Sequence, residues 1–151
     1  MANPLYPDLS VPIRTAIVGN NAIMTNMPDY ANGDAVFTRR PVPLDAPTPM
    51  IVIGPDISSI DRGGLSDQHL FIKRDISVYA NNDTADRYRA TEAIAFAIKN
   101  LFHRNRTAFK VSGWNVINIW CVGPIEGPVD NPDEHVARLV EVTVELDAII
   151  T

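Results

Sequence analysis

Apolar side chains return at every second position from Leu70 to Ala80: Leu70, Ile72, Ile76, Val78 and Ala80, with Arg74 the one interruption. Phe71, Lys73, Asp75, Ser77 and Tyr79 fill the alternate positions, a period of two that predicts a strand with one apolar face. Asn81, Asn82 and Asp83 follow, and short polar side chains of this kind bond to nearby backbone groups and favour a turn. From Thr84 the spacing lengthens. Tyr88, Thr91, Ala95, Ile98 and Phe102 recur at steps of three and four, with Ile94 and Leu101 widening the stripe, which predicts an amphipathic helix. Asp83 or Thr84 is placed to cap its start, with Asp86 in its first turn. Lys99, His103, Arg104 and Arg106 gather at its end, so each charge sits where the helix dipole favours it.

The flanking chain is organised around this unit. Residues 1–7 form an irregular arm, and a helix is predicted over about Asp8–Val18, capped by Asp8 or Ser10, with Leu9, Ile13 and Ile17 on one face and Pro12 early enough to be tolerated. Gly19, Asn20 and Asn21 weaken it, and it stops there or restarts through Ala22 to Met27. Between Pro28 and Pro49, prolines 28, 41, 43, 47 and 49 leave room only for a short strand at Ala35–Arg39. Met50–Ile53 is a compact apolar strand, and residues 56–68 form a long polar loop joining it to the central strand as a hairpin. That loop suits a contact arm or a tolerated insertion equally well. A short strand is expected at Ala108–Val111. Trp114–Val122 follows, with Ile117, Ile119 and Cys121 on one face and Trp114, Val116, Trp120 and Val122 on the other, so both faces call for a cover. Gly123–Pro132 is turn-rich. In the last strand Val136, Val140, Val142, Val144, Leu146 and Ala148 alternate with Leu139, Glu141, Thr143, Glu145 and Asp147, and Arg138 breaks the apolar set. The order predicts a single-domain α+β fold: a mostly antiparallel sheet with two main helices packed on one face.

Composition adds bounds. A chain of 151 residues that is 46% hydrophobic can build a core without disulfide or metal. Eighteen acidic against thirteen basic residues give a net charge of −5, which argues against nonspecific nucleic-acid binding through a broad basic surface but suits a lining past which DNA slides. Cys121 is alone, so no intrachain disulfide forms, and its apolar setting predicts a buried, inert thiol. No apolar run has the length of a membrane span and the N-terminus lacks a signal pattern, which predicts a soluble protein made in a cytoplasm.

Candidate chemistry is sparse. His69, His103 and His135, expected in a loop, at a helix end and at a strand start, share no metal-ligand spacing. No phosphate-cradling or nucleophile-elbow motif is present. Asp61-Arg62-Gly63-Gly64 resembles an anion-binding turn, but no helix is predicted after it to supply aligned N–H groups. Glu141, Glu145 and Asp147 share a strand face on which successive same-face residues lie roughly 6.5–7 Å apart, which suits an electrostatic surface better than acid–base work. The basic group Arg104, Arg106 and Lys110 could touch phosphate, but serving the helix dipole and the surface is the favoured reading. The expectation is a protein that is not an enzyme and takes no cofactor or metal.

Four features in order carry a resemblance: an N-terminal helix; the proline-rich approach RRPVPLDAPTPMIVIG; the strand–turn–helix ISVYANNDTADRYRATEAIAFAIKNLF; and the closing strand HVARLVEVTVELDAI. Together they resemble the tail terminator, or tail-completion, proteins of long-tailed bacteriophages and phage-like particles, the lambdoid terminator among them. The resemblance implies a virion protein, assembled in the bacterial host cytoplasm, that forms a six-membered ring on the head-proximal end of the tail tube. Such a ring ends tube polymerisation and presents a surface to the head–tail connector or stopper, with DNA passing through its lumen and no membrane involved. It places Asp56, Asp61, Arg62 and Asp67 in a loop reaching a neighbour or the tube, and Trp114 and Trp120 near the interface or core. Glu141, Glu145 and Asp147 fall on a lumen or partner face. A stopper or adaptor ring is the alternative, and a small ligand-binding α+β domain a remoter one.

Overall fold

The computed structural model describes residues 5–30, 33–38, 42–63, 68–81, 85–129 and 134–149, with only the backbone of residues 85–87. Helix α1 (Ser10–Val18) and the single turn α2 (Asn21–Met24) precede three two-residue strands, β1 (Asp29–Tyr30), β2 (Gly33–Asp34) and β3 (Val36–Phe37). Long strands β4 (Met50–Asp61) and β5 (His69–Asn81) lead into helix α3 (Ala85–Phe102), and β6 (Trp114–Glu126) and β7 (His135–Ala148) close the chain. β1 and β2 form a small hairpin; the main sheet runs β3-β4-β5-β7-β6, antiparallel except where β3 lies parallel to β4. The fold is α+β, with the helices on one face of a five-stranded sheet.

The core follows from the two periods. Leu70, Ile72, Ile76 and Ala80 of β5 face Leu146, Val144, Val140 and Val136 of β7 across the ladder, and these and Val78 are buried. Thr91, Ile94, Ala95, Ile98 and Phe102 of α3 are buried against them, and Leu9, Ile13 and Ile17 of α1 complete the apolar layer. Burying each such aliphatic side chain is worth about 1.5–3 kcal/mol. α1 begins at Ser10, not Asp8: the Asp8 carboxylate accepts the Ser10 N–H at 2.9 Å and its hydroxyl at 2.6 Å, so Asp8 holds the helix start from outside. Asn20 caps α2 by accepting the Ile23 N–H. The proposed cap residues of α3, Asp83 and Thr84, lie outside the described residues.

Several expectations are corrected. Residues 56–61 are strand rather than loop: β4 continues through Asp61, opposite Leu70–Arg74, by way of two register shifts between Ile53 and Ser58. Those irregularities, with Gly54 and Pro55, break the alternation that would have revealed it. His69 accordingly opens β5 instead of lying in a loop. Residues 108–111 form no strand, only a bridge from Val111 to Trp114, and β6 runs on past Val122 to Glu126, with Gly123 at φ 117 in a second register shift. A β-bulge between Val116 and Asn118 also re-assigns the faces of β6. Trp114, Val116, Ile119 and Cys121 point into the core, while Ile117, Trp120 and Val122 point out.

Candidate functional site

Alternation along β5 and β7 that buries one face necessarily builds the other. Phe71, Lys73 and Asp75 stand beside Glu145, Thr143 and Glu141, and Trp120 of β6 reaches over β7 to meet Phe71 edge-on, ring centroids 6.0 Å apart. Ile60 of β4 pairs with Phe71 and is half exposed. The guanidinium of Arg62 lies 5.1 Å from the Phe71 ring centre, a cation–π contact. Arg62 and Trp120 therefore share one outer surface. Trp114 does not: it is 3% exposed, part of the core, and its indole N–H donates to the Leu5 carbonyl at 3.1 Å.

The three carboxylates share the outer face as expected, yet they are not a bare acidic lining. Lys73 lies 3.7 Å from Glu141. His69 is clasped, one ring nitrogen against Asp147 and the other 2.8 Å from Glu145. The hydrogen bond to Asp147, then that to Glu145, raises the His69 pKa above its ordinary value despite partial burial. Both ring nitrogens are thus used by carboxylates, and no group of His, Cys, Asp or Glu among the described residues is arranged to hold a metal ion. Asp75 has one carboxylate oxygen with no partner, and desolvation, seconded by Glu141, raises its pKa.

Asp56 occupies a different environment from Asp61. The two register shifts leave Asp56 opposite Arg74 on the inner face, 2.5 Å from the guanidinium, where it also accepts the Tyr6 hydroxyl at 2.7 Å. This ion pair ties the N-terminal segment to the sheet. Arg138, the other basic interruption of an apolar set, is held by Glu92 at 3.0 Å and by the Tyr88 ring and hydroxyl on α3. Asp61 ends β4 on the surface, its carboxylate accepting only the Gly63 N–H among the described residues. Asp67 lies outside the described residues.

The two borders of the sheet differ, a feature the sequence did not announce. Along β6, the Arg104 N–H donates to the Ile119 carbonyl, His103 Nδ1 accepts the Cys121 N–H at 2.9 Å, and the Asn118 side chain accepts the Ile119 N–H. Trp114 N–H donates to Val111, and Pro124 has no N–H to offer. Arg104 reaches its place through a left-handed backbone, φ 58, just after α3. At Trp114 and around Ile119 and Cys121 this edge is therefore capped. On the other side β3 covers β4 only at Ile51 and Val52, and no described segment pairs with the outer edge of Ser58–Asp61. Ile57 and Ile60, 51% and 49% exposed, crown that open border.

No helix among the described residues is long and apolar enough to cross a membrane. Cys121 is buried, and burial pushes its thiol up to about 12, far from a nucleophile's range.

No protein-family model matches the chain, and no curated protein matches it. Among solved structures the fold is similar to that of a chain in the virion of a native gene transfer agent particle. The two share a TM-score of 0.66 over 91% of this chain and 94% of that one, at 16% sequence identity. The likeness is one of fold, and it spans nearly the whole of both chains.

Proposed function

We propose that this chain is a structural protein of a phage-like virion, and that within it the chain acts as a tail terminator: a ring at the head-proximal end of the tail tube that ends polymerisation and offers a surface for head joining. One observation carries the reading, the near-complete overlap of this fold with a chain taken from a gene transfer agent virion. The distribution of side chains supports it. Among the described residues many polar groups are spent on clasps, caps and edge contacts, such as His69–Glu145, Arg74–Asp56 and His103–Cys121. The surface exposes apolar residues at separate places: Ile57, Ile60, Phe96, Val122 and Ile125. The chain's neighbours are then further copies in a ring of six, the tail tube and the connector or stopper, with DNA passing unbound through the lumen.

Electron microscopy of particles assembled without the protein tests this directly. Overlong tails are expected. Tails of normal length that fail to join heads would move the chain one layer up, to a stopper or adaptor ring. Normal particles would remove it from the tail altogether.

A further inference from the structure

A row of four polar side chains crosses one end of the outer sheet face. Beyond the last ladder pair of β4 and β5, Asp61 with Leu70, the Arg62 N–H donates to the His69 carbonyl at 2.8 Å, which sets Arg62 opposite His69. His69 pairs in turn with Asp147 of β7, and Asp147 with Asn115 of β6. Directly opposite residues on one face stand close enough for their side chains to interact. The row therefore reads cation, imidazole, carboxylate, amide. Glu145 belongs to the next row, beside Phe71, and reaches back to the imidazole.

A proton count fixes the charge of this arrangement. Nδ1 of His69 meets the Asp147 carboxylate, and Nε2 lies 2.8 Å from Glu145. Ionised carboxylates only accept, so two such bonds need two N–H groups, and only the imidazolium has both. A neutral ring keeps a single carboxylate, and exposure decides which. The Glu145 side chain is 21% exposed and that of Asp147 46%, so water replaces a lost donor more readily at Asp147.

Arg62 turns this release into an exchange. Its guanidinium makes no ion pair among the described residues and rests over the Phe71 ring, 5.1 Å from the centre. An imidazolium directly across the ladder repels it; a neutral imidazole does not. No other described cation competes from the packed strands. Lys73 of β5 is engaged with Glu141, further along the face beside Asp75, and β6 presents Asn115, Asn118 and Trp120, none of them charged.

We propose that this row is a proton-operated exchange. Protonated His69 holds Asp147 and Glu145 together and leaves Arg62 on Phe71; neutral His69 keeps Glu145 and yields Asp147 to Arg62. The hydrogen bonds to Asp147 and Glu145 set the exchange above the ordinary histidine value near 6.5. Arg62 is then available to a partner's carboxylate only while His69 carries its proton, which makes contact through this corner pH-dependent. The exchange is internal to one chain and holds whether or not copies form a ring.

NMR of the isotope-labelled full chain tests it by titration from about pH 5 to about pH 9. The His69 ring, the Asp147 carboxyl and the Arg62 guanidinium are expected to shift together with one midpoint, while the Glu145 carboxyl moves less. In Asp147→Asn, His69 should still titrate, at a lower midpoint, and the Arg62 shift should be largely lost. In His69→Gln, Arg62 should hold its high-pH position throughout. Unchanged amide signals away from this corner check that both variants keep the fold, and the wild-type titration stands without either. An Arg62 guanidinium that does not follow His69, or follows it undiminished in Asp147→Asn, overturns the exchange. A Glu145 carboxyl that moves more than Asp147 overturns the choice of carboxylate. A His69 ring that does not titrate over this range overturns the proton as the trigger.

Discussion

At the scale of single residues, charged groups in this fold are placed by strand parity, and their consequences are titratable. The His69 pKa is raised by Asp147 and Glu145, so the clasp contributes stability that is complete below the unfolded histidine value near 6.5 and lost as pH rises through the folded value. Asp75 acts in the same direction for another reason. Its folded pKa is raised by burial, so ionisation disfavours the native state, and stability falls as pH climbs through that value. Thermal melts should therefore show stability decreasing from mildly acidic to mildly basic pH, and His69→Gln should flatten the upper part of that slope. Asp75→Asn should raise the melting temperature at pH 7, a gain that disappears in acid, where the wild-type carboxyl is already neutral. Arg74 and Asp56 form a part-buried ion pair. Asp56→Ala strands the guanidinium, one of whose nitrogens already lacks a partner, and should cost about 3 kcal/mol in a urea titration. Cys121 should resist alkylation until the protein unfolds.

At the scale of elements, legibility depended on regularity. β5, β7 and α3 hold their period over their whole length, so Leu70–Ala80, Val140–Leu146 and Thr91–Phe102 could be placed on a buried face from sequence alone. β4 and β6 could not, because a bulge inserts a residue and exchanges the faces beyond it. That one effect hid the second half of β4 and turned Trp120 outward while Trp114 stayed in. Arg74 and Arg138 were visible as interruptions of apolar sets, and that was the signal for inward-facing ion pairs. Their partners, Asp56 and Glu92, come from other elements and no spacing pointed to them. The edge seal depends on α3 ending beside β6, a tertiary fact. Its energetics are testable: His103→Ala removes the acceptor for the Cys121 N–H and should destabilise by about 1–2 kcal/mol, with faster amide exchange at Ile119 and Cys121 than at β7.

At the scale of the whole molecule, the helices and the inner sheet face are consumed by the core, and what remains for partners is borders, loops and one outer face. The fold itself tolerates wide sequence change, as 16% identity beside a TM-score of 0.66 illustrates. The outer face has its own prediction. Trp120→Ala removes the cover over Phe71 without entering the core, so it should leave the melting temperature nearly unchanged while altering indole fluorescence.

The unequal edges carry one more consequence, best put in the language of polymers. A sheet open on both sides is a bifunctional monomer and can grow into a fibre without limit; a sheet open on one side is monofunctional, and its growth stops after a single addition. His103, Arg104 and Asn118 move the middle of β6 toward the second character. Around Ile119 and Cys121, β6 has little valence left to offer another strand.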